Sequence, residues 1–227
     1  MRLPIMDAKF WHQRWEKNEI GFHELEANPL LVKYFDHLPL SKGSRVFLPL
    51  CGKTPAIAWL LSKGCRVAGA ELSEIAVGQL FQDLGVRPKI AATHEIRHYC
   101  SDGIDIFVGD IFNLTRTMLG PVDAIYDRAA LVALPEGLRS RYAAHLMEIA
   151  DHAPQLVIAY EYDQNLANGP PFSVSGDEVR RLYHTSYELI LLTTAEVSGG
   201  LKGKCPAKEN LWLLTCASRT GWKKPIS

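Results

Sequence analysis

Nowhere does the sequence run to about 18 uninterrupted apolar residues, so no membrane-spanning helix and no membrane partner is expected. Met1 to Lys9 lacks a long apolar core, and no secretory leader is expected there. No excess of either charge exists: Lys plus Arg number 25, as do Asp plus Glu. The only basic doublet near the end is Lys223-Lys224, which reads as a solvated tail. A chain built for nucleic acid usually carries a basic excess or stripe, so none is expected as a partner. Cysteine is sparse: five residues, at 51, 65, 100, 205 and 216, with no Cys-x-x-Cys pair. That argues against a disulfide framework and a structural zinc site, and the expectation is a cytoplasmic protein without metal. The dinucleotide fingerprint Gly-x-Gly-x-x-Gly is missing too. Gly52-Lys53-Thr54 ends like a phosphate loop, but the first glycine of that motif would fall at 47, which is Phe47.

What is present is ample apolar material, 47% of 227 residues, enough for one α/β domain without staples. Residues 7–40 read as helical and amphipathic, punctuated by Gly21 and Pro29. From residue 45 apolar strands alternate with helices: strands at 45–49, 66–70, 104–108, 122–126 and 155–160, helices at 55–62, 73–84 and 135–150. Ser73 is the expected N-cap of the second helix. Such alternation implies right-handed crossovers and a largely parallel sheet. A helix at 176–184 is followed by apolar runs at 187–197 and 210–217, with a turn-rich stretch between them. The expected fold is therefore α/β: a Rossmann-like doubly wound sheet, mostly parallel, ending in an antiparallel hairpin, which is the class I methyltransferase shape. One domain is expected, with residues 1–41 as an N-terminal helical lid and 42–227 as the catalytic core.

In a doubly wound sheet the ligand sits beyond the carboxyl ends of the strands, where the first loop meets a helix. Here that loop is Pro49-Leu50-Cys51-Gly52-Lys53-Thr54. A single glycine suits a ligand without phosphate, such as S-adenosylmethionine. Glu71 ends the second strand about twenty residues later, where an acidic side chain can accept both ribose hydroxyls. Its bland alternative is a solvent-facing carboxylate in the first turn of the next helix. Asp110, with Ile111 beside it, follows the third strand, where such folds often recognise adenine; an ordinary Asp turn explains it equally well. Cys51 has no neighbour in sequence that suggests an activated thiolate.

The motifs 10–15 (FWHQRW), 21–23 (GFH), 46–53 (VFLPLCGK), 69–73 (GAELS), 126–134 (YDRAALVAL) and 169–172 (GPPF) resemble thiopurine S-methyltransferase in order and spacing. The resemblance implies that Trp11, Trp15, Leu50, Glu71 and Arg128 contact S-adenosylmethionine or shape its pocket. It also implies that Phe22 and the Pro170-Pro171 turn border the acceptor. The loop from Ser198 to Lys208 departs from the vertebrate pattern by lacking an arginine, for which Lys202 or Lys204 would stand in. Simpler readings remain for these positions: Trp11 and Trp15 as a core stripe, His12 and His23 as structural or exposed, Pro170-Pro171 as a rigid turn, and Asp127-Arg128 as a local surface ion pair.

The expected reaction is displacement of the sulfonium methyl by the sulfur of a small aromatic or heterocyclic thiol, leaving S-adenosylhomocysteine. A thiolate is already the nucleophile, so no strong base is required; were a proton to leave, Asp163 after the fifth strand is the expected acceptor. Arg128 would hold an anionic group on the cofactor or the acceptor. No long apolar stripe demands a partner chain, so a monomer is expected. The alternatives are a relative of the same fold acting on selenium or tellurium anions, halides or small nitrogen or oxygen nucleophiles, and a module that binds S-adenosylmethionine without catalysis.

Overall fold

The computed structural model describes residues 8–21, 23–92 and 95–216; Phe22 lies outside them. In chain order the elements are α1 (Ala8–Glu16), α2 (Pro29–Tyr34), β1 (Arg45–Leu48), α3 (Ala56–Ser62), β2 (Arg66–Glu71), α4 (Glu74–Asp83), β3 (Lys89–Ala92), β4 (Arg97–Ser101), β5 (Ile104–Val108), α5 (Arg116–Leu119), β6 (Ala124–Arg128), α6 (Glu136–Ile149), β7 (Gln155–Glu161), α7 (Gly176–Tyr183), β8 (Glu188–Glu196) and β9 (Lys208–Thr215). They build one nine-stranded sheet in the order β3-β4-β5-β2-β1-β6-β7-β9-β8.

The five strands β5-β2-β1-β6-β7 run parallel. Their residues are almost all buried, as expected of strands covered on both faces. On one face Phe47, Ala68, Ile125 and Val157 pack with Tyr142 and Leu146 of α6. On the other, Val46, Leu48 and Ile158 pack with Leu31 of α2, Ile57 of α3 and Leu80 of α4. Each fully buried side chain of this size contributes about 1.5–3 kcal/mol relative to exposure. Among the described residues no helix is long and apolar enough to cross a membrane.

The doubly wound sheet and its reversed C-terminal pair match the expected architecture. Several details differ. Two strands, β3 and β4, extend the sheet antiparallel beyond β5; every residue of β3 is exposed, so no apolar run betrays it. The fourth parallel strand starts at Ala124 rather than Val122. Asp123 is tied to the start of β1, its carboxylate accepting the Arg45 amide at 2.7 Å and its own amide donating to the Arg45 carbonyl at 2.8 Å. The N-terminal stretch breaks into two short helices because Asn28 caps α2 afresh, accepting the Leu30 amide at 2.8 Å, with Pro29 as its first residue. The last strand spans Lys208–Thr215 and lies inside the sheet between β7 and β8, leaving β8 as the edge. Ser73 caps α4 as expected, through the Ala76 amide at 3.3 Å.

Candidate active site

The loop after β1 is held by its neighbours in the sheet. The Cys51 amide donates to the Ala70 carbonyl at 2.9 Å. The Cys51 thiol lies against Gly69, where a Cβ would come within 2.8 Å of the sulfur. Burial, followed by the nearby Glu71 charge, pushes that thiol well above its ordinary pKa, so it is no nucleophile. Leu50 and Gly52 both take left-handed backbone angles, with φ of 46° and 53°. A side chain at 52 would also press on the Trp15 ring, 3.1 Å from the Cβ position. The lone glycine is therefore doubly required: by its own backbone and by the indole stacked over it.

Glu71 closes this turn. Its carboxylate is only 6% exposed and accepts the Gly52 amide at 2.7 Å and the Ser73 amide at 2.8 Å. Burial raises its pKa despite these bonds. It is not the solvent-facing helix-start carboxylate of the simpler reading. Beside it, Leu72, Ser73, Glu74 and Ile75 line a cavity of about 330 Å³ together with Val108, Glu95, Arg97 and His12 of α1. The structure thus brings His12, read from sequence as structural or exposed, over a hollow at the ends of β2 and β5. Gly109 allows this closure: its amide bonds the Glu71 carbonyl at 2.9 Å, and a Cβ there would meet the Glu95 carbonyl at 2.6 Å. Asp110 makes an Asp turn, one oxygen accepting the Phe112 amide at 3.0 Å. Ile111 is buried and its carbonyl takes the His145 ring nitrogen at 2.8 Å.

Trp15 is buried and Trp11 half-buried on α1. Trp15 touches Gly52 of the loop after β1, and His12 of the same helix lines the cavity. Trp15 is thus more than part of a stripe between helices.

At the end of β6, Asp127 and Arg128 point to opposite faces and are not a surface pair. Asp127 is fully buried and accepts the Leu131 amide at 3.0 Å and the Tyr142 hydroxyl at 2.8 Å. Burial drives its pKa up to about 6. These bonds fix the turn through Ala129, at φ 61°, on which Arg128 is mounted. Arg128 is ion-paired instead with Glu24, 104 positions earlier. Burial opposes its charge, yet Glu24 and the other acidic neighbours outweigh that and hold its pKa above the usual value.

Around Arg128 stand groups that the sequence did not single out. Tyr160 and Glu209 face each other in register across β7 and β9. Glu209 has its pKa raised by burial and pulled back by Arg128, with Tyr160 and Asn28 bonded to it. Burial holds the Tyr160 hydroxyl at about 12 and pushes the Tyr126 hydroxyl higher still. His23 lies among Lys53, Asp83, Arg128 and Glu24, and burial, followed by the Lys53 charge, lowers its pKa.

The Pro170-Pro171 turn is equally well braced. A Cβ at Gly169 would overlap the Phe172 ring at 2.3 Å, and Pro170 and Pro171 both follow cis bonds. The Tyr162 hydroxyl donates to the Pro171 carbonyl at 2.7 Å, the Phe172 amide to Val132 at 2.6 Å, and the Lys202 ammonium to the Pro170 carbonyl. Lys202 has its pKa lowered by burial and then by Arg14 of α1, so the loop after β8, the proline turn and α1 converge. Behind them Arg139 holds the Leu134 and Ser173 carbonyls and the Glu178 carboxylate, at 2.9, 3.1 and 2.7 Å. Asp163 is not brought to this site. It is exposed, and its carboxylate caps a turn by accepting the Asn165 amide and side chain at 3.0 and 2.9 Å.

The sequence profile of the thiopurine S-methyltransferase family matches residues 6–214. The chain belongs to this family. A thiopurine S-methyltransferase of Xanthobacter autotrophicus is 56% identical over 92% of the chain and 99% of its own length. One from Acinetobacter baylyi is 46% identical over 92% of the chain and 99% of its length. Among solved structures, the 1,6-didemethyltoxoflavin-N1-methyltransferase of Burkholderia thailandensis, with bound S-adenosylhomocysteine, shares the fold at a TM-score of 0.63. It is 14% identical, with 95% of this chain and 93% of that chain covered. A TehB-like methyltransferase of Corynebacterium glutamicum gives 0.55 at 15% identity, over 92% and 97%.

Proposed function

We propose that the chain is an S-adenosylmethionine-dependent methyltransferase that methylates the sulfur of small aromatic or heterocyclic thiols, thiopurines included. The observation that carries this reading, within a chain of this family, is the turn at Gly52 clamped to the Glu71 carboxylate beside an open hollow. That arrangement fits the cofactor: the glycine cradle lies under Trp15, and the residues directly after the buried carboxylate, Leu72 and Ser73, line a cavity of about 330 Å³. When bound, S-adenosylmethionine supplies an electrophilic methyl group on a sulfonium centre.

The residues divide the work. Glu71 accepts the ribose hydroxyls with the oxygen lone pairs left over from its two backbone bonds. Leu50 and Gly52 present backbone polar groups to the amino-acid end, with Trp11 and Trp15 above them. Asp110 and Ile111 edge the adenine. Arg128 holds an anionic group, either the cofactor carboxylate or the acceptor thiolate, with a planar fork suited to both oxygens of a carboxylate. Pro170 and Pro171 form the acceptor wall, which Lys202 props through a carbonyl, and the family resemblance adds Phe22 to the acceptor residues. A thiolate acceptor needs alignment rather than a base, and alignment alone contributes several kcal/mol. Residues 1–41 act as a lid over the core of residues 42–227, excluding water that competes for the methyl. Cys51, Cys65, Cys100 and Cys205 are free thiols, which supports a cytoplasmic location, and we read the working form as a monomer.

The test is methyl transfer from labelled cofactor to a panel holding 6-mercaptopurine, simple thiophenols, selenite and tellurite. Label on the aromatic sulfurs is the expected result. Transfer to the oxyanions alone, or cofactor binding without any turnover, refutes the assignment. Phe22→Ala should raise the acceptor KM while sparing cofactor affinity.

A further inference from the structure

Arg128 is the cation on which the proposed function places an anionic ligand group, and it is already in company with acids. Its guanidinium is ion-paired with Glu24. Glu209 is a second carboxylate within electrostatic range. The two differ in how they are held. Glu209 belongs to β9, inside the sheet, with Tyr160 opposite it in register and bonded to it; moving it would break the strand pairing. Glu24 lies between α1 and α2 in no regular element. Its side chain is 36% exposed against 12% for Arg128. The described stretch 23–28 is fixed at its far end by the buried Asn28 cap, and Leu25, next to Glu24, is 93% exposed. Apolar packing therefore does little to hold Glu24 in place; its carboxylate on Arg128 is the tether that the structure shows.

A third anion arriving at one guanidinium faces two like charges in a partly dry site. Either it stays away or one resident carboxylate leaves, and the one free to leave is on the irregular segment rather than the strand. We propose that Glu24 is an internal placeholder for the ligand's anionic group. It holds Arg128 aligned before binding and releases it when a carboxylate or thiolate arrives, so that Arg128 is never left buried without a counter-charge. Glu24 is thus a positioning residue acting through Arg128, and residues 23–28 shift when the site fills. This rests on Arg128 being the anion-holding residue of the proposed function.

A competitor and a scaffold have opposite signatures. Removing a competitor tightens the ligand; removing a scaffold weakens it. In Glu24→Gln the carboxylate charge is lost and the shape kept, at a half-buried loop position outside every helix and strand. Two affinities are measured: S-adenosylhomocysteine by calorimetry, and the thiol acceptor as KM at saturating cofactor. At least one should tighten by about threefold or more, since even a fully exposed ion pair is worth up to about one tenfold step and this one is partly buried. The ligand that tightens is the one whose anion meets Arg128. Glu24→Asp, which keeps the charge, should return the affinity toward wild type, and Glu24→Lys should tighten the same ligand at least as much as glutamine does. Unchanged or weaker affinity for both ligands in Glu24→Gln overturns the placeholder while leaving the proposed function intact. Failure of wild-type protein to bind S-adenosylhomocysteine at all sinks that function instead.

Discussion

Replacing Asp127 by asparagine separates shape from charge at the end of β6. The carboxylate is wholly enclosed, bonded to the Leu131 amide and the Tyr142 hydroxyl, and burial pushes its pKa up to about 6 against those bonds. The folded state therefore binds this proton more tightly than the unfolded chain does. Stability from protonation is fully present below the unfolded pKa, 3.8, and is lost as pH rises through about 6. A rise of about two units corresponds to about 3 kcal/mol, a large share of the 5–15 kcal/mol that holds a typical domain together. Asparagine keeps one oxygen for the Leu131 amide, and the Tyr142 hydroxyl can turn to accept from the new amide. The variant should thus keep the turn and lose the titration. Urea midpoints measured from about pH 4 to pH 8 should show wild type falling relative to Asp127→Asn by up to about 3 kcal/mol across the interval. Glu71, whose pKa is also raised by burial, adds a slope of the same sign to both proteins and cancels in the difference. Parallel curves would refute the reasoning. Asp127→Ala behaves differently: it orphans a buried amide and a buried hydroxyl at about 1–3 kcal/mol each, and it loosens the mount of Arg128.

Glu71→Ala should weaken S-adenosylhomocysteine at least about tenfold, because the ribose acceptor is lost and the Gly52 and Ser73 amides lose their partner; an unchanged dissociation constant by calorimetry removes the ribose assignment. Arg139→Met takes the closer cation from Glu178, leaving Arg181 at 3.6 Å, and frees two carbonyls at about 1–3 kcal/mol each, so a loss of about 2 kcal/mol or more in chemical unfolding is expected, and a loss below about 1 kcal/mol contradicts a bracing role. In a thermal-shift comparison S-adenosylhomocysteine should raise the melting point while ATP and NAD leave it unmoved; an equal rise with ATP would show that the loop reads phosphate after all.

The parallel core was legible because its strands are buried on both faces and so stand out as apolar runs. β3 was not: Lys89, Ile90, Ala91 and Ala92 are all exposed, and an edge strand packed on nothing leaves no pattern. Register mattered as much as existence. Because β6 runs on to Arg128 rather than ending at 126, Asp127 and Arg128 are strand residues, which alternate faces. That is why two charged neighbours with the look of a surface pair became a core hydrogen-bond anchor and a cation paired with Glu24. The Gly52 turn and Glu71 could be read because each carries its constraint locally, at a fixed distance from a strand end. Glu24, Tyr160 and Glu209 could not, since only the fold brings positions 24, 128 and 209 together. Asp163 shows the converse hazard: a carboxylate just beyond a strand can serve the turn there instead of the site.

The Gly52 amide explains why a loop that ends in Gly-Lys-Thr is no phosphate cradle. Phosphate loops work by aiming several unspent amides at an anion. Here the Gly52 and Ser73 amides are already spent on the Glu71 carboxylate, and the Cys51 amide on the Ala70 carbonyl. What the turn offers inward is a buried negative group rather than a nest of donors. A triphosphate would meet that charge head-on, whereas sugar hydroxyls can donate to it and a sulfonium is attracted by it. Lys53, the residue a phosphate loop would direct at its ligand, is instead salt-bridged to Asp83 of α4 at 3.5 Å. The same few residues that could have made a phosphate cradle are, by the placement of one carboxylate at the end of β2, wired for the opposite charge.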